Sequence, residues 1–177
     1  MKVFSVSNGA ELNLVRVGDS QDTVNYVRGL ALRNNDLFVG VCGSVSLGYR
    51  IAQFHLATGE KVRWLTGPAT TEIYALALSS DGSRLAFRNH YVGATVVDTV
   101  SGQSLTSIPT STGGNVGFSP DGSRLFVSGN GTLHSIPDGT ALWNIGDNWS
   151  EGFFHPMGDS LPFARRVTTP PITALPV

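Results

Sequence analysis

The stretch SPDGSRL at Ser119–Leu125 has a near copy, SSDGSRL, at Ser79–Leu85. In each copy the Gly follows an Asp at the bend. Pro120 presets φ for the second turn position and Asp121 suits the third. Gly122 then takes the left-handed backbone of a type I turn closed by a bulge. Apolar alternation flanks the turns, with Leu76 and Leu78 before one and Leu85 and Phe87 after it. Each turn therefore predicts a β-hairpin with strands of about 5–6 residues.

The repeat extends beyond the turn. VRGLALRNNDLFVG, YALALSSDGSRLAF, GNVGFSPDGSRLFV and SEGFFHPMGDSLPFA align on Leu32, Leu78, Phe118 and Phe154, which are 46, 40 and 36 residues apart. A second series interleaves with the first and aligns on Gly9, Gly59, Gly102 and Gly139. Leu12, Val62, Leu105 and Leu142 follow these glycines at one offset, and Val15, Leu65, Ile108 and Ile145 at another. No apolar 3.6-residue period persists long enough for a helix. Each unit is thus two hairpins, and four antiparallel strands recurring every ~40–45 residues are the sequence signature of a β-propeller blade. The expected fold is all-β: a β-propeller of four blades, or a four-blade portion of a larger one. The propeller domain spans 1–165, with blades at about 26–66, 73–109 and 113–146. A fourth forms where 1–15, an outer hairpin, pairs with 151–165, an inner one. Pro170, Pro171 and Pro176 make 166–177 a poor interior strand, and it reads as a tail.

SPDGSRL and the outer turn DTVSG at Asp98–Gly102 resemble the WD40-like β-propeller repeats, and the resemblance runs over about Lys2 to Arg165. Tol-system and lactonase-like propellers share the same turn. The repeats are degenerate. The Gly-His dipeptide is absent, and Phe4, Phe54, Val97 and His134 stand where the family has Trp. The Asp that follows survives only at Asp98, against Ser5, His55 and Ser135, so the family's Asp–His network cannot form.

Composition narrows the function. The 177 residues carry 12 Lys and Arg against 13 Asp and Glu, a net charge of −1. That balance argues against a nucleic-acid or anionic-membrane partner, either of which favours a basic excess. The single Cys42 forms no internal disulfide. No signal-like or membrane-spanning apolar run is present, so the expected compartment is the cytoplasm. His55, His90, His134 and His155 lack the close pairing of a zinc site, so neither metal nor cofactor is expected. Asp81 and Asp121 are accounted for by their turns rather than by acid–base work.

The loops on the opposite end carry the other signal. GSVSLGYR at Gly43–Arg50, RNHYVG at Arg88–Gly93 and GDNWS at Gly146–Ser150 would gather Tyr49, His90, Tyr91, Asn148 and Trp149. Exposed aromatics beside Arg and Asn suit a protein-binding patch; the other reading is that they pack between blades. The expected function is a non-catalytic scaffold with a protein partner, not an enzyme. Alternatives are a small-ligand or lactonase-like propeller enzyme, and a truncated propeller without independent function. A homodimer completing a larger ring is a further option.

Overall fold

The computed structural model describes residues 2–4, 7–17, 24–43, 48–67, 71–89, 92–110, 114–145, 149–152, 154 and 163–165. Sixteen strands and no helix are found among them. A first hairpin joins β1 (Lys2–Phe4) to β2 (Glu11–Leu14). The first sheet is β3 (Val24–Arg33), β4 (Asp36–Gly43), β5 (Tyr49–His55) and β6 (Lys61–Trp64). The second is β7 (Ile73–Leu78), β8 (Arg84–Asn89), β9 (Gly93–Asp98) and β10 (Ser104–Pro109). The third is β11 (Val116–Phe118), β12 (Arg124–Val127), β13 (Thr132–Ser135) and β14 (Ala141–Asn144). A last hairpin joins β15 (Trp149–Gly152) to β16 (Phe163–Arg165). Every ladder is antiparallel and links consecutive strands. The three four-stranded sheets therefore fall where the repeats place them. β1–β2 and β15–β16 each stand as a two-stranded sheet, and no ladder joins them among the described residues.

The repeated turns explain the hairpins in atomic detail. Ser119 Oγ donates to Asp121 Oδ1 at 2.5 Å, and Ser123 Oγ donates to Oδ2 at 2.6 Å. The Ser123 and Arg124 amides are taken up by Asp121 Oδ1 and Ser119 Oγ. Ser79, Asp81, Ser83 and Arg84 repeat the same set. Gly122 and Gly82 take φ of 70° and 73°, the left-handed region that side chains with a Cβ resist. The first sheet solves the problem differently: Asn34 supplies the positive φ, and Asn35 accepts the Ala57 amide from the next turn.

Inner and outer faces of the central strands are both buried, so their apolar residues run without a polar face. Along β8, Leu85 and Phe87 face the first sheet and pack with Phe38, Ile51, Leu65 and Ile73. Ala86 lies on the opposite face of β8 and, with Ala94 and Val96 of β9, packs against Val116, Leu125 and Val127 of the third sheet. Val15, just after β2, caps the free face of the first sheet on Leu37, Val39, Ala52 and Phe54. On the far side, β15 lies directly against Phe126, where a Cβ on Gly152 would stand 2.4 Å from the ring. Sheets approach one another through their first strands, β3 beside β7 and β7 beside β11. Neighbouring turns are also tied: Ser80 Oγ donates to the Pro120 carbonyl, and Arg84 Nη1 donates to the Gly122 carbonyl at 3.2 Å.

Candidate functional site

Call the end carrying the SSDG and SPDG turns the lower end; the starts of β3 and β7 then meet at the upper end. Strand alternation places Tyr26 and Arg28 on one side of β3, and Glu72 and Tyr74 sit at the start of β7. Tyr26 donates its hydroxyl hydrogen to Glu72 Oε1. Arg28 Nη2 lies 3.8 Å from Glu72 Oε2. Its guanidinium stands 5.3 Å from the Tyr26 ring and 4.7 Å from the Tyr74 ring, within cation–π range of both. Glu72 thus anchors a phenol and a guanidinium, and the guanidinium lies near two rings. Tyr26 and Arg28 remain exposed. A positive, planar, partly solvated group framed by aromatics is suited to recognising carboxylates and aromatic side chains.

Tyr49 adjoins this group. It pairs across the ladder with Cys42, which in turn pairs with Tyr26. Burial pushes the Tyr49 phenol above its ordinary pKa, and its hydrogen bond with the Cys42 thiol adds to the rise, while Arg28 pulls the other way. The Tyr49 ring is also partly buried in the seam between the first and second sheets. Further out, Arg50 and Lys61 stand 5.4 Å and 4.5 Å from the Trp64 ring.

The other expected site residues are not brought to this group by the described structure. His90, Tyr91 and Asn148 lie outside the described residues, and of Trp149 the backbone in β15 is placed. The members that sequence reasoning missed were open to discovery. Tyr26 and Glu72 occupy equivalent positions in successive repeats, as do Arg28 and Tyr74, at the same 46-residue spacing that separates Leu32 from Leu78.

Asp81 and Asp121 are saturated by serines; Asp121 is held down to about 2 and Asp81 well below the usual carboxylate range, first by the side chains of Ser119 and Ser79 respectively. His134 Nδ1 lies 3.0 Å from the Gly139 carbonyl, and His55 is engaged with Asn35 and Thr58. Among the described residues no three His, Cys, Asp or Glu side chains cluster as metal ligands, and no helix is long and apolar enough to cross a membrane.

No protein-family model matches the chain, and no curated protein matches it. Among solved structures it is similar to the computationally designed Ika8 protein, crystallised in P63, with a TM-score of 0.66 at 18% identity. The match covers 87% of this chain and 46% of that one, so this chain spans about half the designed protein's length. At such identity the likeness speaks for the fold alone.

Proposed function

We propose that the chain forms blades of a degenerate WD40-like β-propeller and acts as a non-catalytic scaffold whose upper end binds a protein partner. The architecture is supported by three consecutive four-stranded meanders that approach through their first strands. In this reading 1–15 and 151–165 supply the two halves of one more blade, within one chain or between two copies. The observation that carries the binding role is the Tyr26–Arg28–Glu72–Tyr74 cluster, which spends a preorganised guanidinium and two rings on a partly solvated surface. Aromatic and arginine side chains are those that dominate binding energy at protein interfaces.

The test compares affinity capture by the wild type, Arg28→Ala, Tyr74→Ala and the lower-end control Asp121→Asn. A partner retained by the wild type and the control, lost by both upper-end variants, and bound again when purified supports the reading. A partner lost only by the control places binding at the other end. Mass measurement in solution separates a monomer from a dimeric ring.

A further inference from the structure

The first sheet turns one face to the second sheet and the other to the beginning of the chain. Register fixes which residues share that other face. Val27, Leu30 and Leu32 of β3 stand opposite Val41, Val39 and Leu37 of β4, and the bulge after Val27 keeps all three on one side. The β4 members are buried with Val15. The β3 members are bare: Val27, Leu30 and Leu32 are 38%, 52% and 55% exposed.

The later repeats show what covers such a row. Leu76 and Leu78 lie 46 residues after Leu30 and Leu32, and both pack in the cluster between the first and second sheets. Leu76 meets Gly29 of β3. Val116 and Phe118 of β11 pack in the same way with Ala75 and Ala77 of β7. Each inner strand is thus covered by the inner strand of the sheet before it. Among the described residues no inner strand takes that place on β3. The first hairpin is an outer pair: Gly9, at φ of 70°, corresponds to Gly59 and Gly102, which at 74° turn β5 into β6 and β9 into β10. The last hairpin is the reverse. β15 takes the inner place beside the third sheet, with Gly152 on Phe126, and no outer pair joins β16 among the described residues. The two halves lie on opposite flanks of three sheets packed in series, and no ladder joins them there. Open strand edges and two-stranded sheets are both poorly stable in water.

We propose that two copies of this chain close one ring by exchanging these halves. β15–β16 of each copy covers the bare row on β3 of the other and pairs with its β1, giving two identical head-to-tail contacts about a twofold axis. The chain overlays about half of a longer solved chain, and a second copy supplies the remaining arc. The proposal rests on the blade reading of 1–15 and 151–165, and not on the binding role of the aromatic cluster.

The repeats also set the register. Val127 pairs with Thr132, and Phe87 with Thr95; the corresponding residues of the shared blade are Phe163 of one copy and Lys2 of the other. Residues paired in this way stand within disulfide reach. The test oxidises Lys2→Cys/Phe163→Cys, in a Cys42→Ala background, and reads the products on a non-reducing gel. A covalent dimer that grows no further is expected. The unsubstituted chain should have twice the mass of one chain in light scattering at up to about 100 μM, above the dissociation constants usual for interfaces of standard size. Leu32→Lys, at a position exposed in the single chain, should keep the strand signature in circular dichroism and dimerise at least about tenfold more weakly. Val100→Lys, in the exposed turn after β9, should dimerise as the wild type does. An internal cross-link in a monomer keeps the blade and overturns the second copy. A ladder of higher products, or no cross-link, overturns the exchange and the blade reading with it. A monomeric wild type, or a dimer indifferent to Leu32→Lys, overturns the proposal as well.

Discussion

Asp121 shows how a single residue links the repeat to stability. Its carboxylate accepts from Ser119 Oγ, Ser123 Oγ and the Ser123 amide, which lower its pKa from 3.8 to about 2 in the folded chain. A carboxyl depressed by folding stabilises the fold above its unfolded pKa, and that contribution fades as pH falls through the folded one. Asp121→Asn should therefore be less stable than the wild type in urea unfolding at pH 6, and the gap should narrow between about pH 4 and pH 2. A gap that stays constant over that window would show that the charge contributes nothing. Arg88 acts in the opposite sense. It is 2% exposed on the β8 face turned to the third sheet, and its Nη1 finds no acceptor among the described residues. Burial lowers its pKa, as expected for a cation taken out of water.

Elements divide by how local their causes are. The hairpins were legible because each rests on residues adjacent in sequence: Asp121 and its serines, or a glycine at Gly59, Gly102 and Gly139 with φ of 74° in all three. What sequence hid was contact between elements. The bulge in β3 between Val27 and Leu30 places Gly29 against Leu76, where a Cβ would come within 2.9 Å. No local pattern in VRGLAL announces that approach. The Tyr26–Glu72 bond escaped notice for a related reason. It joins β3 to the residue just before β7 in another sheet, whereas the aromatics of the predicted binding face lie largely in loops. Gly152 tests one such contact. Gly152→Ala puts a methyl into the Phe126 ring and should cost about 1–3 kcal/mol by overpacking. Chemical denaturation checks the cost, and faster amide exchange confined to β15 and β16 would locate it.

At the scale of the molecule, burial among the described residues is arranged in series. One apolar cluster lies between Val15 and the first sheet, one between the first and second sheets, and one between the second and third. Of the described sheets, the second is therefore the one packed on both faces against another four-stranded sheet. In a fold whose units touch only their neighbours, stability is close to a sum of unit and interface contributions. Amide exchange should accordingly be slowest at Leu85, Ala86 and Val96, and fastest in β1 and β2. Equal protection from β1 to β14 would show that the sheets open together, and protection greatest in the first hairpin would reverse the order.

The ties between adjoining turns also bear on heredity. Ser80 reaches Pro120, and Arg84 reaches Gly122, through positions that recur in the next unit. The equivalent turn residues Asp81 and Asp121 lie 40 residues apart. An in-frame tandem duplication of the codons from one to the next would add a sheet whose turn and faces meet the positions they were shaped to meet. A duplication of half that length would leave a two-stranded remnant with a bare apolar face. Whole repeats are thus the steps in which a gene of this kind can lengthen or shorten without losing the fold.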